Sequence, residues 1–263
     1  MCGRYALGLQ PRYNIAPNSL APVIRRRNAS SPDLQMQTMR WGIPYGKVHA
    51  KSQQAINARS ENIMEGAGMW NKYRSSNRCV VVSQGYYEWQ TKGKVKLPHF
   101  TKHADGKVML MAGLYHVSDE TIPNYVFAII TTSASTSLSW LHDRQPVILT
   151  SDADVTKWLD TSSNAWSAEL GKLLRPVGGL IWSIKFQKKL EKWGTESSAF
   201  VQPVATRKDG IEAIFAKQRT KQKDNKEGIK RKRSPSPVIS LVPEPAGKED
   251  ESHKTECKKL KVE

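Results

Sequence analysis

Short runs of β-branched and aromatic residues, separated by Gly, Pro, Asp or Lys, occupy the middle of the chain. Runs of this composition and length, bounded by turn-forming residues, are typical of β-strands. The pattern predicts six strands, over Arg78–Ser83, Tyr86–Gln90, His99–Lys102, Val108–Val117, Tyr125–Ser133 and Val147–Thr150.

Helical patterns follow these strands. Asp152–Leu159 fits a helix with Ser151 as its N-cap, and Ala165–Leu174 fits a second helix that ends before Pro176. Two further strands are predicted over Gly179–Phe186 and Phe200–Val204. Many short strands with few helices indicate an α+β domain built on a mainly antiparallel, curled or barrel-like sheet with flanking helices.

Charge and composition divide the 263 residues into two parts. The chain carries 41 Lys and Arg against 24 Asp and Glu, a net charge of +17 that favours a polyanionic partner. Aromatic residues stop after Arg219, and Lys, Glu, Ser and Pro replace them. Such a composition buries too little apolar area to offset chain entropy. We therefore predict a folded domain over residues 1–205 and a basic, largely disordered tail over residues 206–263.

The tail contains two features of its own. Ile211, Ile214 and Phe215 have helical spacing and could close the domain with a short helix. Lys230–Arg233, followed by two Ser-Pro pairs, matches a nuclear-localisation cluster beside sites for proline-directed phosphorylation. This predicts a nuclear protein and an import receptor as partner; the alternative is a solvated charged tail.

Several functional classes find no support in the sequence. No apolar run approaches the roughly 20 residues of a membrane helix, and the N-terminus lacks the pattern of a secretory signal. Three cysteines without CxxC spacing argue against a disulfide framework and a zinc site. No GxGxxG or P-loop is present, so no cofactor is predicted.

Cys2 is the most informative single position. Removal of Met1 would expose a 1,2-aminothiol, whose α-amine can attack an aldehyde to form a Schiff base that the thiol then closes to a thiazolidine. The thiol could instead attack an acyl group. A cysteine beside the start codon can also be without function.

Seven short motifs occur in a fixed order along the first 146 residues: MCGRYA (1–6), RYNIAP (12–17), MRWG (39–42), INARSE (56–61), RCVV (78–81), GYYEW (85–89) and LHDRQP (141–146). Together with FVQPV (200–204), they resemble the SOS response-associated peptidase (SRAP) family of abasic-site processing proteins. The resemblance implies the SRAP fold and a protein that covalently traps abasic sites in single-stranded DNA through Cys2, after loss of Met1 by self-processing.

The resemblance also implies roles for individual residues. Cys2 matches the nucleophile, Asn57 the residue that orients it, and Glu88 the acidic catalyst. His142 matches the histidine implicated in sugar-ring opening and Schiff-base chemistry, although a lone histidine is more often structural.

A second set matches the family's DNA-binding positions. Arg4, Arg59 and Arg144 match arginines that hold phosphates, whereas Pro17, Trp41 and Thr132 sit where the family lines its DNA groove. Each arginine has an ion-pair alternative, Arg59 with Glu61 being the clearest, and Trp41 is equally well explained as a core aromatic.

The chain departs from the family pattern in three places. Only Leu7–Pro11 joins the first two motifs, where the family has a helical stretch that covers part of the sheet. Gln145 replaces a methionine or arginine, which we expect to be tolerated. Tyr45 is the only aromatic available where the family has a Pro-x-Trp.

The sequence is therefore compatible with three functions. The first is a DNA-protein crosslinking enzyme with thiol autopeptidase and AP lyase chemistry, acting as a monomer in the DNA damage response at replication forks. The second is a cysteine-dependent peptidase using Cys2, Glu88 and His142. The third is a noncatalytic single-stranded DNA-binding protein, whose affinity would depend strongly on salt and not on Cys2.

Overall fold

The computed structural model describes residues 4–7, 12–46, 53–118, 124–179 and 181–185, with 197 and 201 as isolated positions. The chain divides into two units, Met1–Phe215 and Ala216–Glu263, and every described residue belongs to the first. Several predictions lie outside the described residues: Cys2, the strand over Phe200–Val204 apart from Val201, the helix over Ile211–Phe215, and the basic cluster Lys230–Arg233.

Fifteen strands, three α-helices and one 3₁₀ helix form the described part of the chain. The strands are β1 (Arg4–Leu7), β2 (Arg12–Ile15), β3 (Leu20–Asn28), β4 (Ser31–Trp41), β5 (Ile43–Tyr45), β6 (Gln53–Ala55), β7 (Asn57–Arg59), β8 (Arg78–Ser83), β9 (Gly85–Lys92), β10 (Val95–His103), β11 (Met109–Val117), β12 (Tyr125–Ser133), β13 (Arg144–Pro146), β14 (Ile148–Leu149) and β15 (Ile181–Lys185). The helices are α1 (Ser60–Glu65), the 3₁₀ helix Gly68–Lys72, α2 (Asp152–Leu159) and α3 (Ala168–Gly171).

Five strands close into a barrel. Strand β4 pairs with β3, β3 with β8, β8 with β11 and β11 with β12, and β12 returns to β4. All of these pairings are antiparallel except that of β12 with β4. The predicted α+β class and the mainly antiparallel, barrel-like sheet are thus confirmed.

A second, five-stranded antiparallel sheet has the order β15-β10-β9-β1-β2. Tyr5, Ile15 and Tyr86 of this sheet share one core cluster with barrel residues such as Val81 and Phe127. One apolar core therefore joins the two sheets, and burial of this surface stabilises both.

The short N-terminal connection is compatible with this sheet. Strand β1 lies between β9 and β2, and its register with β2 pairs Tyr5 with Ile15 and Leu7 with Arg12. Tyr5 and Ala6 are completely buried. Strand β1, which begins two residues after Cys2, is thus an interior strand although only residues 8–11 join it to β2.

Some of the predicted strands and helices have the predicted bounds, whereas one predicted helix is much shorter in the structure. Strands over Arg78–Ser83 and Tyr125–Ser133 and the helix over Asp152–Leu159 have the predicted bounds, and the Ser151 hydroxyl accepts a hydrogen bond from the Asp154 N–H at 3.1 Å. The helix over Ala165–Leu174 is wrong in extent, since only Ala168–Gly171 is α-helical. The Ser167 hydroxyl accepts the Leu170 N–H and starts the helix there.

Trp41 belongs to the core, which corrects its predicted place in a DNA groove. Its side chain is 0% exposed, lies parallel to Phe127 at 6.3 Å between ring centroids, and packs at 5.3 Å from Tyr5. Its Nε1–H donates to the Ile56 carbonyl at 2.9 Å. A fully enclosed indole cannot stack on a base, so the core alternative holds.

Trp41→Ala should therefore reduce the free energy of unfolding by about 3–5 kcal/mol, because it opens a cavity between the sheets. Trp41→Phe should cost less, since the Ile56 carbonyl keeps a hydrogen bond from the Ile129 N–H. Denaturant unfolding measures both, with Met36→Ala at an exposed position as control. Unchanged stability of Trp41→Ala together with lost DNA binding would restore the DNA-contact role.

Candidate active site

Five of the predicted site residues lie on or near the second half of β12, Ile129–Ser133. In the parallel pairing of β7 with β12, Asn57 is opposite Ile129 and Arg59 is opposite Thr131. On the other edge of β12, Thr132 is opposite Gln145 and Ser133 is opposite Arg144. His142 lies two residues before Arg144. Strands β7 and β13, which are distant in the sequence, thus place their polar residues beside the second half of β12.

Arg144 is held by a carboxylate in this structure. Its Nη1 and Nη2 donate to Glu61 Oε1 and Oε2 at 2.6 and 2.9 Å, and Nη2 also donates to the Thr131 carbonyl at 2.7 Å. The hydrogen bonds from Arg144 lower the pKa of Glu61 below its ordinary value. The ion pair with Glu61, which was the alternative for Arg59, is therefore made by Arg144, which fastens β13 to α1 and β12.

Arg59 is the exposed arginine of this group. Among the described residues, no carboxylate lies within ion-pair distance of it. Its guanidinium is thus accessible to solvent, and its contact with a phosphate stays a prediction. Pro17 is half-buried, whereas Thr132 is only 4% exposed and offers DNA almost no surface, which corrects its predicted role as a groove residue.

His142 has partners for both of its protonation states. The Arg144 backbone N–H donates to Nδ1 at 2.9 Å, which suits the neutral ring with its proton on Nε2. The Asp143 carboxylate lies 2.7 Å from the same nitrogen, which suits the charged ring. The two contacts hold the imidazole in a defined position, as an acid-base residue requires.

Arg4 and Glu88 lie on the other sheet, on the adjacent strands β1 and β9. Arg4 pairs with Tyr87, its guanidinium lies 5.6 Å from the Trp89 ring centroid, and Nη1 donates to Asn14 Oδ1 at 3.3 Å. Glu88 is only 3% exposed, and its Oε1 accepts the Trp89 N–H at 3.1 Å. A carboxyl group enclosed in this way is shielded from solvent, as a proton-transfer residue should be.

Two sets of contacts join these halves of the site. Tyr5, next to Arg4, packs against Trp41, which bonds the carbonyl of Ile56, the neighbour of Asn57. On the other side, the turn that leads to His142 contacts strands β9 and β10, which carry Glu88 and His99. There, Gln90 donates to the Trp140 carbonyl at 3.0 Å, and the Trp140 ring lies 5.2 Å from that of His99, the cross-strand partner of Glu88. The candidate site therefore lies where the two sheets meet.

Sequence reasoning missed three contributors to this region: the roles of Glu61 and Gln145, and His99. Gln145 is buried, with Oε1 accepting the Ser135 N–H at 2.7 Å and Nε2 donating to the Val177 carbonyl at 3.0 Å. It ties the start of the turn before His142 to the segment that contains Val177, a role that its place in the LHDRQP motif only hinted at. His99 is buried beside Glu88, and its place in an ordinary strand pattern gave no signal.

The described residues outside this site offer neither a reactive thiol nor a metal-binding cluster. Cys79 is completely buried, and burial raises the pKa of its thiol, so it is unsuited to act as a nucleophile. Within the described ranges, no cluster of three or more His, Cys, Asp or Glu side chains could hold a metal ion. No helix in the same ranges is long and apolar enough to cross a membrane.

Comparison with known proteins agrees with this architecture. The chain belongs to the SOS response-associated peptidase (SRAP) family, whose family model matches residues 4–191. It is 38% identical over 172 residues to an abasic site processing protein of Saccharomyces cerevisiae, covering 62% of this chain and 44% of that protein. It is 30% identical over 206 residues to the abasic site processing protein HMCES of Gallus gallus, covering 66% and 60%.

The chain thus spans about half the length of these two relatives. A solved structure of a protein from Bacteroides thetaiotaomicron has the same fold, with a TM-score of 0.60 and 25% identity over 73% of this chain and 85% of that one. The resemblance read from the sequence motifs is therefore confirmed at the level of family and fold.

The Glu61–Arg144 pair gives a pH-dependent prediction. Because the folded pKa of Glu61 lies below the ordinary 4.5, its pair stabilises the fold above pH 4.5 and loses this contribution as the pH falls through the folded pKa. Glu61→Gln should lower the free energy of unfolding at pH 7 by up to about 1 kcal/mol, a modest value because the carboxylate is 45% exposed.

Urea unfolding of both proteins at a series of pH values measures this difference. Glu169→Gln, which removes a carboxylate paired with Lys172 on an exposed helix surface, is the matched control and should change stability less. A difference between wild type and Glu61→Gln that persists unchanged at the lowest pH would assign the effect to packing instead of charge.

Proposed function

We propose that this protein binds single-stranded DNA at abasic sites and forms a covalent thiazolidine crosslink through Cys2 after removal of Met1. The observation that supports the proposal is the pair of contacts between the two sheets: Tyr5 of β1 packs against Trp41, whose indole bonds the carbonyl of Ile56 next to Asn57, and Gln90 of β9 bonds the turn that leads to His142. Cys2 lies outside the described residues. It is two residues before Arg4, so the covalent chain keeps its Cα within about 7 Å of the start of β1.

The reaction follows from these groups. The neutral α-amine of Cys2 attacks the C1′ aldehyde of the ring-opened abasic sugar, and loss of water gives a Schiff base. The thiol sulfur then adds to the imine carbon, and its proton passes to nitrogen, which closes the five-membered ring. No oxidant or reductant is consumed.

Each of these steps includes a proton transfer, and His142 and Glu88 are the two groups proposed to carry them out. His142 can protonate the sugar ring oxygen as the ring opens, since its ring has partners in both protonation states. Glu88, buried on β9, can carry the proton that leaves with the water. Asn57, on β7 beside β12, would orient Cys2 by hydrogen bonding.

DNA binding would depend on charge and shape more than on sequence. Arg59 is exposed at the barrel end where His142 lies, and the net charge of +17 favours the approach of a polyanion. Tyr45 is 44% exposed at the end of β5 and can stack on a base. Phosphate contacts and stacking carry little base specificity, so the lesion itself would select the site.

Removal of Met1, by self-processing at Cys2, is part of the same proposal, as is an AP lyase side reaction from the Schiff base. The relatives from Saccharomyces cerevisiae and Gallus gallus are abasic site processing proteins, which supports a role in the DNA damage response. From the sequence alone, we also propose nuclear import through Lys230–Arg233, contacts with replication-fork proteins, and a monomeric state.

The test uses the full chain, processed at Met1, with a single-stranded oligonucleotide that carries one abasic site, analysed on a denaturing gel without borohydride. We expect a heat-stable, slowly migrating band that is absent with intact DNA and absent for Cys2→Ala. Glu88→Gln and His142→Gln should slow its formation at least about 100-fold. Cys79→Ala removes a buried cysteine that has no part in the proposed reaction. It is the matched control and should still crosslink.

Other outcomes separate the alternatives. Binding that depends on salt and ignores both the abasic site and Cys2 would indicate a noncatalytic DNA-binding protein. Cleavage of added N-terminal peptide extensions without any crosslink would indicate a peptidase.

A further inference from the structure

Trp140 is an exposed tryptophan in the turn that leads to His142. Its exposed fraction is 48%, whereas Trp41 and Trp158 are completely buried and Trp70 is 7% exposed. Leu138 and Leu141, on either side of it in the turn, are buried. The turn is thus anchored in the core while the largest apolar side chain is left at the surface, and none of the steps above uses it.

The indole is nevertheless held in one place. Its Nε1–H donates to the Ser137 carbonyl at 2.9 Å, and its ring lies nearly perpendicular to that of His99, at 80° and 5.2 Å between centroids. The backbone carbonyl of Trp140 accepts a hydrogen bond from the Gln90 side chain at 3.0 Å. An exposed aromatic ring held by two partners, on a backbone held by a third, loses little conformational entropy on binding a ligand.

The support for this ring belongs to the candidate active site. His99 is the cross-strand partner of Glu88, and Gln90 follows Glu88 on the same face of β9. His99 is itself fixed, since its Nδ1 lies 3.0 Å from the Leu97 carbonyl. Along the chain, Trp140 is two residues from His142, a span of at most about 7 Å, which corresponds to about two nucleotides of a stacked strand.

We propose that Trp140 is a stacking platform for a nucleobase that flanks the abasic site. This inference rests on the proposed function. An abasic nucleotide leaves its neighbouring bases without a stacking partner on one side, and an indole at the site can replace it. Stacking on a tryptophan accepts every base, so the platform is compatible with recognition of a lesion in any sequence.

The experiment measures noncovalent binding to single-stranded oligonucleotides that contain tetrahydrofuran, an abasic analogue that cannot open to an aldehyde. One oligonucleotide has natural bases on both sides of the analogue. The second has further tetrahydrofuran residues at the flanking positions, so that no base is available next to the lesion. Fluorescence anisotropy gives the affinity of each for the full-length wild type, Trp140→Ala and Trp140→Phe.

We expect Trp140→Ala to bind the base-flanked oligonucleotide roughly tenfold more weakly than wild type. Both proteins should bind the base-free oligonucleotide with equal affinity. Trp140→Phe should recover part of the loss, because a phenyl ring still stacks. Leu34→Ala, at a side chain of similar exposure on β4 (51%), is the matched control and should bind like wild type.

An equal loss of affinity for both oligonucleotides, or no loss for either, would overturn the inference. Thermal unfolding of Trp140→Ala verifies that the variant is folded. Because the analogue cannot react, the result does not depend on the crosslinking chemistry. A base-dependent loss together with no crosslink by wild type at true abasic sites would refute the crosslinking step of the proposed function and support the stacking role of Trp140 in noncovalent binding.

Discussion

The pairing of β12 with strands on both of its edges is the constraint on which the rest of the structure depends. One edge pairs with β4 and then β7 in parallel, and the other with β11 and then β13 in antiparallel orientation. The pairing with β4 closes the barrel, and the later pairings place Asn57 beside the middle of β12 and Arg59 and Arg144 beside its last residues. Closure removes the free edges of the sheet. The same strand thus completes the fold and assembles half of the candidate site.

The other half of the site depends on how the second sheet packs against the barrel. Trp41 contacts Tyr5 on one side and Phe127 on the other, so a single buried indole spans the boundary between the sheets. Polar anchors complete the junction: Gln145 holds the turn before His142, and Gln90 ties that turn to β9. The residues proposed for chemistry are consequently supported by side chains that do no chemistry. Their geometry is fixed by the core and by buried hydrogen bonds.

Prediction from sequence succeeded where local patterns are strong and failed where they are weak. Strand β12 and helix α2 have continuous apolar or capped patterns, and both have the predicted bounds. The long β3–β4 hairpin was missed. Its strands are rich in Arg and Gln, and the apolar positions change phase between Met36, which is exposed, and Met39, which is buried, so no period-2 pattern marks β4. Arg59 and Arg144 look alike in sequence, yet only Arg144 faces Glu61, a residue 83 positions away.

By itself, the sequence determined the family, the α+β class and the identity of the candidate chemical groups. These follow from short motifs and local periodicity, which depend on residues close together along the chain. Only the tertiary structure decided that Trp41 is a core residue and that Arg144 is paired with Glu61 while Arg59 is exposed. It also decided that Trp140 is exposed near the candidate site. Each of these depends on burial and on contacts between residues distant in sequence, which no local pattern encodes.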